Sequence, residues 1–170
     1  MEVTHFNDVK VYNLSSGKSL PAWLEEAKKK KVSLKYNEDY RKRIDLLQDF
    51  EFSVASSRVK VARDGQHIIA TGIYPPEMRI FDSRELGMKH NRRMDAEIVD
   101  FHILSDDWKK IVFLQDDRHL EFHAQGGRHH RVRVPKPGRS LCYDDESCTL
   151  YVAGSSSEVF RLDLEAGTFL

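Results

Sequence analysis

Cysteine is scarce in this chain: Cys142 and Cys148 are the only two in 170 residues. Five residues separate them and no second pair follows, which excludes a zinc-ribbon spacing. So sparse a complement points to a reducing compartment. Long apolar runs are missing as well. No stretch nears the roughly 18 apolar residues that a membrane span needs, and residues 1–8 lack the apolar core of a secretory leader. No membrane partner is expected. Net charge is the third absence: 27 Lys and Arg balance 27 Asp and Glu, so global charge forecasts neither nucleic-acid nor membrane binding. What remains, 40% hydrophobic and 32% charged residues, is the composition of a soluble globular chain, long enough to bury a real core.

The neutral total hides an uneven spread. Residues 18–43 hold nine basic residues (Lys18, Lys28, Lys29, Lys30, Lys31, Lys35, Arg41, Lys42, Arg43) against four acids (Glu25, Glu26, Glu38, Asp39). A basic segment therefore sits on a mildly acidic body. A second basic run, Arg128, Arg131, Arg133, Lys136 and Arg139, contains no acid.

Beneath the charge lies a repeat. Val59-Lys60-Val61, Asp64-Gly65, His67 to Gly72 and Met78 to Asp82 form one unit. Val99 to Ile103, Asp106-Asp107, Ile111 to Leu114 and Leu120 to Phe122 form the next. Leu141 to Tyr143, Asp144 to Glu146, Leu150 to Gly154 and Val159 to Asp163 form the third. Each reads as a short strand, an acidic turn, an apolar strand, a turn and an alternating strand. Ile68 to Ile111 is 43 residues and Ile111 to Leu150 is 39; Phe81 to Phe122 is 41 and Phe122 to Phe160 is 38. Residues 86–94 and 129–134 fill the slot of a fourth, outer strand. A period near 40 with several strands per unit predicts an all-β fold of the WD40 type, a β-propeller with about three blades present and the ring incomplete. Asp64-Gly65 suits a hairpin turn, because glycine tolerates positive φ.

Val9-Lys10-Val11-Tyr12-Asn13-Leu14 resembles Val159-Phe160-Arg161-Leu162-Asp163-Leu164 and predicts one more third strand. Residues 18–50 then interrupt the repeat as a basic, helical insertion. Pro21 can start one helix, with Glu25 and Glu26 early and Lys28 to Lys31 late. Asn37 can cap a second, with Tyr40, Ile44 and Leu47 on one face.

Candidate chemistry dissolves on inspection. His119, His123, His129 and His130 cluster in a segment that reads as strand, where they lie too far apart for one ion. Asp106-Asp107 and Asp116-Asp117 sit at predicted hairpins, where Asp serves backbone hydrogen bonds. Gly126-Gly127-Arg128 and Pro137-Gly138-Arg139 do not follow a strand and open a helix, so they make no nucleotide site. Ser155-Ser156-Ser157 lacks a nucleophile elbow. No catalytic residue, cofactor, metal or small-molecule substrate is expected.

The run from Val9 through Ser16-Gly17-Lys18 to Pro21-Ala22-Trp23-Leu24 resembles the start of the eukaryotic nucleolar protein ten family. So do Arg41-Lys42-Arg43-Ile44-Asp45-Leu46-Leu47-Gln48-Asp49-Phe50-Glu51, Ser105-Asp106-Asp107, Lys110 to Leu114, Asp117-Arg118, Glu121-Phe122-His123 and Ser155 to Val159 with Arg161-Leu162. The Gly-His and Trp-Asp pairs of generic WD repeats are missing; Asp82 stands alone where one would fall. The resemblance implies the N-terminal part of a WD40-like propeller over residues 1–170, located in the nucleus and nucleolus. It implies a non-catalytic scaffold in ribosome biogenesis, a component of the small-subunit processome that supports early pre-rRNA processing. Other ribosome-assembly proteins are the implied partners, with pre-ribosomal RNA or small nucleolar RNA beside them. The competing class is a propeller adaptor that reads a peptide or histone tail. The expected RNA or partner contact residues are Lys28, Lys29, Lys30, Lys31, Arg41, Lys42, Arg43, Arg128, Arg131 and Arg133, whereas a peptide reader would bind at the central channel of the closed propeller.

Overall fold

A computed structural model describes residues 2–6, 9–14, 18, 20–30, 33–42, 45–47 and 50–170. The chain divides into two compact units, Met1–Glu51 with Arg84–Gly87, and Phe52–Ser83 with Met88–Leu170.

In the first unit, β1 (Glu2–Phe6), β2 (Val9–Asn13) and β3 (Asp45–Leu47) make an antiparallel sheet with β2 in the middle. The predicted strand at Val9 is present. The strand at residues 45–47 corrects the expectation that Leu47 continues a helical face from Tyr40: Leu47 stands opposite Val11, and Asp45 opposite Asn13. A central strand must pair both of its edges, and that demand outweighs the helical spacing of three side chains. Ile44 lies outside the described residues. Between Asn13 and Asp45 the chain loops out through α1 (Leu20–Lys30), a short 3₁₀ turn (Leu34–Tyr36) and α2 (Glu38–Lys42). Asn37 caps α2 as expected, its Oδ1 accepting Asp39 N–H at 3.0 Å and Tyr40 N–H at 3.2 Å. The α1 start at Leu20 places Glu25 and Glu26 mid-helix, leaving its first turn without acids.

The second unit carries three four-stranded antiparallel meanders. In chain order they are β4 (Ser56–Val61), β5 (His67–Gly72), β6 (Glu77–Asp82), β7 (Gly87–Arg93); β8 (Ile98–Ile103), β9 (Ile111–Gln115), β10 (His119–Ala124), β11 (Gly127–Arg133); and β12 (Gly138–Asp144), β13 (Thr149–Gly154), β14 (Phe160–Asp163), β15 (Thr168–Phe169). These are the three blades that the period predicts. Each first strand shifts register at its start, between Ser56 and Arg58, Ile98 and Asp100, Gly138 and Ser140. One bulge repeated at one place is a bend built into the repeat.

That register fixes which residues are equivalent. Ile68, Ile111 and Leu150 face Val61, Ile103 and Tyr143, as the spacing predicts. On the third strand, the residues opposite them are Phe81, His123 and Leu162, so the predicted series Phe81, Phe122, Phe160 is one position out of phase for the second blade and two for the third. The acids of the turns serve the backbone. Asp64 Oδ1 accepts Gln66 N–H at 2.8 Å, Asp107 Oδ1 accepts Lys109 N–H at 2.9 Å, and Asp163 Oδ1 accepts Glu165 N–H at 2.8 Å.

Apolar clusters fill the seams. Ile69, Met78 and Ile80 pack with Phe101, Trp108, Ile111 and Phe113 between the first and second meanders. Val112, Leu114 and Leu120 pack with Leu141, Leu150, Val152 and Leu162 between the second and third. Polar stitches join the inner strands: the buried Asp100 on β8 accepts Leu141 N–H of β12 at 3.0 Å and pairs with Lys60 of β4 at 3.4 Å. Gly138 and Gly154 face each other at a tight crossing, where a side chain on Gly154 would meet Pro137 O at 2.1 Å.

Candidate nucleic-acid and partner interface

The expected contact residues fall into two groups with different surroundings. In the insertion, Lys28, Lys29 and Lys30 form the last turn of α1 and all are exposed. Their place at a helix C-terminus is favourable to the dipole. Lys30 bonds Glu26 Oε1 at 2.6 Å, and Lys18 bonds its other oxygen. The hydrogen bonds from Lys18 and then Lys30 hold the Glu26 carboxyl down at about 2. Lys42 lies 3.4 Å from Glu38, one turn back on α2. Among the described residues no ion pair is seen for Lys28, Lys29 or Arg41. Lys31 and Arg43 lie outside the described residues.

Trp23, Leu24 and Tyr40 of this insertion are packed within the first unit. Trp23 is buried and meets Tyr40 edge to face, ring centres 6.0 Å apart. Lys18 rests 5.1 Å over the same indole. Leu24 and Tyr40 pack on Val11 and Leu86. So Trp23, Leu24 and Tyr40 pack on each other and on Val11 and Leu86, while Lys28, Lys29, Lys30, Arg41 and Lys42 are exposed.

The second group is committed elsewhere. Glu121 on β10 is buried, and its carboxylate collects Arg128 at 3.3 Å, Arg131 at 3.5 Å and His123 at 3.3 Å. Arg128 also pairs with Asp95 at 2.6 Å and Arg131 with Asp117 at 2.5 Å. These two arginines therefore neutralise Glu121 and Asp117 of their own blade and Asp95 in the connection that leads into it. The sequence hid this, because the acids sit on β10 and in the turns rather than inside the basic run. Arg133, Lys136 and Arg139 are exposed and show no ion pair among the described residues. A cavity of about 480 Å³ beside Glu121 is lined by Arg92, Arg93, Asp95, His123 and Arg128. Arg92 is tied there by Nη1–H to Ala124 O at 2.9 Å.

The histidines are scattered. Burial pushes the His123 imidazole below its ordinary value, against the pull of Glu121, while His129 and His130 are exposed on β11. Among the described residues no three metal-ligating side chains converge. Asp117 Oδ1 accepts His119 N–H at 3.2 Å, and Ser105 and Lys109 surround Asp107, so these carboxylates close turns.

A β-propeller family model described as "Nucleolar protein 10-like, N-terminal domain" matches residues 2–170. The chain is 53% identical over 170 residues to Nucleolar protein 10 of Xenopus tropicalis, and 50% identical to the human protein of that name. It is 50% identical over 173 residues to Ribosome biogenesis protein ENP2 of Saccharomyces cerevisiae. In each case the whole chain is covered, and it spans about a quarter of the relative's length: 25%, 25% and 24%.

Proposed function

The chain belongs to the Nucleolar protein 10-like family, and we propose that it serves as a non-catalytic scaffold of the small-subunit processome, supporting early pre-rRNA processing. Matches over its full length to nucleolar proteins assign it to the nucleolus. Its relatives' names place them in ribosome biogenesis, and that role is carried over to this chain.

One observation carries the scaffold reading. Five acids among the described residues are spent on structure: Asp64, Asp107 and Asp163 close turns, and Asp100 and Glu121 neutralise partners inside and between blades. General acid–base work needs such groups converging in a pocket with free capacity. Among the described residues, outward cations without an ion pair remain on the insertion at Lys28, Lys29 and Arg41, and in the second unit at Arg133, Lys136 and Arg139. Cations without base-reading geometry suit phosphate backbones or acidic neighbours, giving position rather than sequence selection. Other assembly proteins and pre-ribosomal or small nucleolar RNA are the partners this reading implies.

Sedimentation of the tagged full-length protein tests it. The protein should migrate with large pre-ribosomal particles and shift to lighter fractions after RNase. Migration as free protein in both conditions would overturn the scaffold role.

A further inference from the structure

The two blade seams of the second unit are related by the repeat but finished differently. At the first seam, the turn from β8 to β9 sends Trp108 across to the preceding blade, where it is 4% exposed. Its ring centre lies 4.6 Å from His90 on β7 and 6.1 Å from His67 on β5, with Lys89 5.4 Å above it. An indole thus closes the outer end of that seam, held by two imidazoles and a cation.

At the second seam the same socket exists and the plug is missing. The turn from β12 to β13 is Asp145-Glu146-Ser147-Cys148, shorter than residues 104–110 and without an aromatic. The equivalent positions are still basic or imidazole. The outer strands β7 and β11 end alike, with Met94 N–H on Pro76 O and Val134 N–H on Arg118 O. Counting back from those residues, His130 takes the place of His90 and His129 that of Lys89. Ile68 faces Val61 as Ile111 faces Ile103, and that equivalence puts Lys110 where His67 stands. Those three residues line one open groove of about 420 Å³, whose apolar walls include Phe122, Val132, Tyr143 and Leu164. None of the groove's lining residues is acidic. Among the described residues Lys110 shows no ion pair.

We propose that this groove between the second and third blades binds a partner protein through one aromatic side chain, preferably tryptophan, with an acidic residue beside it. The aromatic ring takes the position that Trp108 fills at the first seam, stacking on His130 against Phe122 and Tyr143. The acid meets Lys110 and His129. The assignment stands apart from the ribosomal reading, because it rests on the internal repeat and on the charge of the groove.

The test is calorimetric titration of the full-length protein with three blocked pentapeptides: Gly-Asp-Trp-Asp-Gly, its alanine analogue lacking the indole, and its lysine analogue lacking the acids. The first should bind at least about tenfold more tightly than the other two, since tenfold is about 1.4 kcal/mol and one desolvated aromatic stack supplies that much. His130→Ala and Lys110→Glu, both on exposed side chains, should each weaken it about tenfold, and Leu164→Trp should block it by filling the socket from within. Arg161→Ala, outside the groove, should bind as the unaltered protein does. Equal affinity for all three peptides, or full binding by both groove variants with native circular dichroism, overturns the proposal. So does capture of a single-stranded oligouridylate that His130→Ala releases while the tryptophan peptide fails to bind.

Discussion

Asp100 Oδ2 accepts the Leu141 N–H at 3.0 Å, tying the inner strand of one blade to that of the next. The same carboxylate lies 3.4 Å from Lys60 on the blade before it, so one buried acid touches three consecutive inner strands. Asp100→Ala removes the acceptor and leaves the buried Leu141 N–H without its partner, while the partly exposed Lys60 ammonium keeps its bond to Phe101 O. A buried group stripped of its partner costs about 1–3 kcal/mol. Denaturant unfolding should show a loss in that range. Unchanged stability would mean that the inner strands are held by packing alone.

Trp108 is the counterpart in the outer part of the seam. Trp108→Ala should cost about 3–5 kcal/mol, the range for truncating a large buried aromatic. It also recreates at the first seam the open socket of the second. Free indole at millimolar concentration should then raise the melting temperature of the variant and leave the unaltered protein as it was. No rescue would mean that the seam collapses when its plug is removed.

Glu121 decides what Arg128 and Arg131 are for. If the arginines serve the blade, Glu121→Gln should lower stability by about 1–3 kcal/mol, since a charge-assisted site loses its charge. Arg131→Ala should lower stability too, with little change in the salt dependence of RNA binding. A change confined to RNA binding, with stability intact, would return these residues to the contact surface.

Acid should act in two stages. His123, His102 and His90 are each pushed below their ordinary value of 6.5, chiefly by burial. The unfolded chain therefore takes up protons that the native chain refuses, and stability falls as pH drops through 6.5 toward the lower native values. Two carboxyls act further down. Burial raises Asp107, but hydrogen bonds from Lys109 and Ser105 outweigh it and leave the group at about 2, as Lys18 and Lys30 do for Glu26. Their contribution is present above the ordinary carboxyl values of 3.8 and 4.5 and is lost as pH falls toward 2. Melting curves from pH 8 to pH 2 should show a shallow decline and then a steeper one. A rise in stability between pH 7.5 and pH 5.5 would contradict the histidine signs.

Much of the second unit was legible in the sequence because the repeat is carried by turns. Asp64, Asp107 and Asp144 recur in the first turn of each blade, and turn acids cannot slide without losing their backbone hydrogen bonds. The phase of the third strand was not legible. Blade strands are buried on both faces, so Phe122 and His123 offer no alternation to choose between them. The three residues of β3 were too few to show a period, and only their pairing with β2 identifies them. The site was half legible. Composition separated the basic runs, but whether a cation is free depends on acids that are distant in sequence, as Asp95 is from Arg128.

The insertion is where charge and fold separate most cleanly. It loops out between Asn13 and Asp45, which face each other across two paired strands, so the sheet closes whatever the loop carries. Trp23, Leu24 and Tyr40 are packed within the first unit and hold the two helices. Lys28, Lys29 and Arg41 contribute to neither. Reversing them together to Glu should leave the circular dichroism spectrum and melting temperature within the small range of surface changes, about 0.5 kcal/mol, apart from a slight loss at the α1 C-terminus, where an anion opposes the dipole. Association with pre-ribosomal particles should fall. If phosphates are the contact, binding to single-stranded RNA should lose a log–log salt slope of about 0.7 for each contact removed. If acidic protein is the contact, particle association should fall while RNA binding by the purified protein stays as it was. Particle association equal to that of the unaltered protein would show that these three cations face only solvent.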